Sequence, residues 1–155
     1  VGSEMCIRDR LQQKSIKKHY YALVEGDTKL EQQGEIIAPI ARDVDSIITR
    51  RVHKSGKYAH TSYRLVGDYG RVKLVDINLH TGRTHQIRVH FAHLGLPLLG
   101  DDLYGGSLDY GIKRQALHCH RLAFVDPFTK KEMVHASSLT DDFEIVIMNL
   151  QTKKD

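Results

Sequence analysis

HTGRTHQIRVH, residues 80–90, sets a strand end, a turn and a helix start within eleven positions. Upstream, residues 71–79 alternate: Lys73, Val75, Ile77 and Leu79 share one face, and Val72, Leu74, Asp76, Asn78 and His80 share the other, which turns polar toward its end. That period of two reads as a strand. Thr81-Gly82 turns the chain, and Thr84 is placed to cap a helix by accepting a backbone N–H bond. Ile87, Phe91 and Leu94 then recur at i, i+4 and i+7 as one buried stripe, and Gly95 supplies a left-handed stop.

Working outward, residues 60–66 and 71–79 read as paired strands around Gly67-Asp68-Tyr69-Gly70. Residues 18–25 (KHYYALVE) form a strand closed by Gly26-Asp27, and residues 34–41 (GEIIAPIA) a second, with Pro39 marking an edge or an end. RRVHKSGK at 50–57 is a basic loop or hairpin. Strands near 116–124 and 132–136 follow. Thr140-Asp141-Asp142 starts a C-terminal helix with Phe143, Val146, Ile147 and Leu150 on one face. The expected class is α+β: a mostly antiparallel mixed β-sheet with flanking helices.

The chain has 155 residues, 41% of them hydrophobic, enough for one domain with a core or for part of a larger one. Its net charge of +4 and pI near 9.1 suit a polyanionic partner without singling one out. No apolar run reaches the length of a membrane span, so no membrane partner is expected. Cys6 and Cys119 are too few for a disulfide framework or a cysteine zinc site, and a reducing cytoplasm is the expected compartment. VGSEMCIRDR, residues 1–10, resembles the in-frame translation of a transposon-end sequencing adapter, which would make Leu11 the first native residue.

Arg83 and Arg88 carry the chemistry. Arg83 precedes a helix start, where amides and the helix dipole favour an anion. Arg88 flanks the buried stripe, and a half-buried guanidinium needs an oriented partner, most naturally a bidentate carboxylate. It either serves a site or only ties the helix to its sheet. His90 and His93 on the helix, with His118 and His120 on a strand, are too thin a donor set for zinc, and no metal is expected.

HTGRTHQIRVHFAHLGLPLLGDDLYGG, residues 80–106, closely resembles the C-terminal motif of the RluA-type pseudouridine synthases. KKHYYALVEG at 17–26 resembles that family's K-K-x-Y-x-A-L-V-x-G, and LHCHRLAFVDPFTKKEMVHAS at 117–137 a third block, in the family's order. Asp126 stands where histidine is more usual before Pro127, and HASSLTDDF replaces a family ending rich in proline.

The resemblance implies isomerisation of uridine to pseudouridine in ribosomal or transfer RNA, with no cofactor or metal. The base must be flipped out of any helix. By the same resemblance Tyr20 is the ring against the uracil, and Arg88 pairs with the catalytic aspartate. Arg83, Thr84, His85 and Gln86 would help place the RNA backbone, with Lys17 beside them; Arg50, Arg51, Lys54 and Lys57 are candidate phosphate contacts from their charge alone, the residues an RNA-binding module would use. The family's aspartate lies in H-R-L-D-x-x-T-S-G, about thirty residues before the 17–26 match, and that motif is absent from the chain. Asp101 matches a structural Gly-Asp of the family; Asp9 and Asp27 are not taken as nucleophiles.

Residues 11–155 are therefore expected to be the C-terminal part of a catalytic domain, inactive alone, with an exposed sheet edge, an Arg88 left strained or solvated, and any S4-like RNA-binding domain further upstream. The alternative is a non-catalytic RNA-binding module. A shared site requires Arg88 and Tyr20 to face one groove, with the strands of 60–80 packed beneath the helix.

Overall fold

The computed structural model describes residues 16–153; the adapter-like segment and Cys6 lie outside them. The described residues form eight strands: β1 (Ile16–Glu25), β2 (Gln33–Ile37), β3 (Ile40–Arg42), β4 (Arg50–Val52), β5 (His60–Asp68), β6 (Val72–Leu79), β7 (Leu117–Val125) and β8 (Glu132–Ala136). Among the described residues there are also two helices, α1 (Gln86–His93) and α2 (Asp141–Lys153), and a short 3₁₀ turn (Asp102–Tyr104). The architecture is α+β, and every ladder is antiparallel: a six-stranded sheet ordered β2-β5-β6-β1-β7-β8 and a ribbon of β3 and β4.

The alternation along β6 decides how the sheet is covered. Val75 and Ile77 join Ala22, Val24 and Ile36 under Ile87 and Phe91 of α1. Val72 and Leu74, on the opposite face, join Leu23 under Phe143 and Val146 of α2. The sheet thus separates two cores, one helix on each, and removing a ring such as Phe91 from the first would cost about 3–5 kcal/mol. The stripe on α1 is wider than its spacing predicts, since Gln86, Val89 and His90 are buried as well.

Three expectations need correction. Residues 34–41 are two strands in different sheets: Pro39 lies between them, and β3 turns away to pair with β4. Helix α1 starts at Gln86, not Thr84. His85 occupies the capping position in a left-handed conformation (φ 56°), with no side-chain cap. The Gln86 side chain reaches back to bond the Arg83 N–H at 3.0 Å, which holds the preceding turn off the helix axis. The left-handed stop at Gly95 (φ 79°) is as expected. The third lies at Arg88. One long edge is β8, whose five residues are all exposed. No helix among the described residues is long and apolar enough to cross a membrane.

Candidate functional site

The loop after β6 is built from hydrogen bonds to its own strand ends. Thr81 Oγ1 accepts the His60 N–H at 3.0 Å and donates to Gln86 Oε1 at 2.7 Å. Gln86 Nε2 donates to His60 O and Thr61 Oγ1, at 3.0 and 2.9 Å. The buried Gln86 amide is thus engaged with the chain itself. Beneath it, His90 is wholly buried, bonded through Nδ1 to Thr61 Oγ1 (2.8 Å) and through Nε2 to the Ala38 carbonyl (2.9 Å). With both nitrogens occupied and His93 exposed, this pair holds no metal geometry. His118 and His120 are likewise engaged, with Ser137 and Asp76.

Arg88 has its carboxylate within the chain. Its Nε and Nη2 donate to Asp101 Oδ2 and Oδ1 at 2.9 and 2.8 Å, a bidentate pair, with the Asp101 side chain 1% exposed. The expectation of a strained or solvated guanidinium is overturned. Asp101 follows Gly100, whose positive φ turns the chain back toward the helix, and this brings the acid under α1. The hydrogen bonds to Asp101 push the Arg88 pKa further up, so the guanidinium stays charged. The Tyr104 ring lies against the guanidinium, 5.0 Å from centroid to carbon, as a cation–π contact.

Tyr20 stands on the α1 face of β1, the strand flanked by β6 and β7, beside a register shift at His19/Tyr20. Tyr20 and Arg88 line one groove of about 250 Å³, together with Leu79, Arg83, His85 and Leu117. The two side chains therefore share a face, as a common site requires. Burial, and then the neighbouring Cys119, pushes the Tyr20 pKa up to about 12, so the ring is a neutral phenol with an apolar wall to offer.

Arg83 joins this groove to a second cavity of about 600 Å³, lined by Arg42, Arg50, Lys57 and Thr84 from the β3–β4 ribbon and the loop. Its Nε donates to Tyr58 O at 2.7 Å, which fixes the guanidinium at the junction. Arg51 is not among the lining residues, and its Nε is buried without a hydrogen-bond partner. The alternation along β1 puts Lys17 on the sheet face opposite Tyr20. His85 Nδ1 meets Tyr104 Oη at 2.7 Å; burial, then Arg88 and Arg50, lowers the His85 pKa, so it offers hydrogen bonds rather than charge near neutral pH.

Sequence reasoning missed two contributors. Tyr104 Oη also accepts the Arg50 N–H at 2.9 Å, so one phenol ties the ribbon, the helix start and Arg88 together. Arg42 lines the basic cavity from β3. Tyr104 belonged to the quoted 80–106 block, which was the available signal; nothing in the sequence separated Arg42 from an ordinary surface arginine.

Comparison with known proteins identifies a family. The model of the family described as RNA pseudouridylate synthase matches residues 5–93. "Uncharacterized RNA pseudouridine synthase YjbO" of Bacillus subtilis is 42% identical over 132 residues, covering 85% of this chain and 46% of that protein. "Ribosomal large subunit pseudouridine synthase D" of Nitrosomonas europaea is 37% identical, covering 97% of this chain and 46% of the relative. The chain thus spans about half the length of these relatives. Among solved structures, human RNA pseudouridylate synthase domain containing 4 superposes with a TM-score of 0.74 at 20% identity, over 95% of this chain and 67% of that one.

Proposed function

The chain belongs to the RNA pseudouridylate synthase family, and from that membership we propose that it forms the base-stacking and RNA-holding half of a site that isomerises uridine to pseudouridine. The observation that carries this reading is that Tyr20 and Arg88 face one groove whose Arg83 wall continues into a basic cavity. A flipped uracil laid on Tyr20 would gain roughly 1–3 kcal/mol of stacking, offsetting part of the cost of unpairing it. Arg83, Arg50 and Lys57 would hold the flanking phosphates, which position the strand without specifying its sequence. Three relatives named for the large ribosomal subunit favour ribosomal over transfer RNA as the target, and that target fits a cytoplasmic protein. The reaction uses no metal or cofactor in this reading.

The nucleophile is not supplied by residues 16–153. Asp101 is held on both oxygens by Arg88 and shut from solvent. In this reading the family's HRLD aspartate, carried on a preceding segment, approaches the same guanidinium, and residues 11–155 alone are inactive. The test is tritium release from RNA labelled at uridine C5. The 155-residue chain is expected to release none, and measurable release overturns the truncated-enzyme reading. A non-catalytic RNA-binding module is the second reading, favoured by the Arg88–Asp101 pair being complete without any further acid. Sequencing the source DNA upstream of the Leu11 codon separates them: an in-frame HRLDxxTSG supports the severed enzyme, and a start codon supports the module.

A further inference from the structure

The sheet face away from the groove gathers imidazoles and acids that uridine chemistry does not use. At one end of that face Glu35 of β2, His60 of β5 and His80, the residue after β6, converge. We propose that these three side chains bind one divalent transition-metal ion of the zinc class. One ligand atom from each lies within 4.8 Å of the other two, and no other group of three such donors does so among the described residues.

The backbone sets this up. Continuing the β5–β6 register one step beyond Thr61↔Leu79 places His60 opposite His80, and the His80 N–H donates to His60 O at 3.0 Å. Directly opposed side chains are the nearest neighbours a sheet offers. Their rings lie 4.1 Å apart at 19°. Glu35 reaches them diagonally from the next strand, with Oε1 2.9 Å from His60 Nε2. Ser62 Oγ holds His80 Nε2 at 2.9 Å, which orients that ring.

A tetrahedral ion with bonds of about 2.0–2.1 Å needs its donors about 3.3 Å apart. The Glu35–His60 pair opens slightly to reach that spacing and the wider separations close. Ring rotation at the exposed end of the sheet supplies the change, while the strand ladders keep the three Cα positions fixed. Two imidazoles and one carboxylate select zinc, nickel or copper over magnesium or calcium, which prefer all-oxygen shells. His80 is followed by Thr81, whose hydroxyl takes the His60 N–H. A bound ion would therefore brace the base of the loop that carries Arg83.

The test is calorimetric titration of the full 155-residue chain with zinc alone, with the histidine ring resonances followed in parallel. Expected are one tight equivalent, shifts confined to His60 and His80, and at least ten-fold weaker binding in both His80→Ala and Glu35→Gln, with His135→Ala unchanged. Glu35→Gln keeps the shape of the side chain and serves as the readout if His80→Ala fails to fold. No binding at 100 µM zinc, binding indifferent to both substitutions, or shifts at His19 and His120 instead would overturn the proposal.

Discussion

Arg88 and Asp101, thirteen residues apart, meet through two parallel hydrogen bonds of 2.9 and 2.8 Å beneath the start of α1. Breaking one side of a buried ion pair leaves the other charge without compensation. Asp101→Asn is therefore expected to lower unfolding stability by about 3 kcal/mol, read from urea titration. A loss below about 1 kcal/mol would mean the guanidinium finds another partner.

His90 makes stability fall in acid. Burial holds its pKa below the ordinary 6.5, so folding favours the neutral ring. Its contribution is complete above about pH 6.5 and is lost as pH drops from there through the depressed folded value. The His90 ring resonances should show no titration above pH 6.5, and the urea midpoint should move down between pH 7 and pH 5. A His90 that titrates at or above 6.5 contradicts this.

Gly100 has positive φ (74°), and an added Cβ would collide with the Arg114 and Ile112 carbonyls. Both are backbone atoms and neither can swing aside. Gly100→Ala should cost at least about 2 kcal/mol and loosen Asp101 with it, visible as faster amide exchange at residues 101–106. Unchanged stability would show that the loop relocates freely.

RNA affinity should depend on the cavity that Arg83 shares with Arg50. Arg50→Ala and Arg83→Ala are each expected to weaken single-stranded RNA binding and to reduce the slope of log affinity against log salt by roughly 1. Arg51→Ala, outside the cavity lining, should leave that slope nearly intact. Equal effects from all three would point to diffuse charge rather than a cavity.

The parts of the fold legible in the sequence were those with a local period. Val75, Ile77 and Leu79 announced β6, and Ile87 with Phe91 announced α1, because each element's own burial repeats along it. The helix start was misread because Gln86 bonds backward through its side chain, an option a Thr84 cap pattern does not reveal. The Arg88–Asp101 pair crosses a loop and a 3₁₀ turn with no period to read, so only the need for a carboxylate was foreseeable. Glu35, His60 and His80 come together through strand register, which no single segment contains.

The strand order has a consequence for how the chain acquires its shape. β1 lies inside the sheet, and its Tyr20 pairs with Ile77 on one side and Cys119 on the other. Both partners are synthesised long after β1, so each ladder closes a large loop, and chains dominated by such non-local pairing fold slowly. Until β6 and β7 emerge, Ala22, Leu23 and Val24 present an apolar strand with two open edges to whatever is nearby. Refolding from denaturant is where aggregation would set in, and dilution or a holding chaperone should raise the yield.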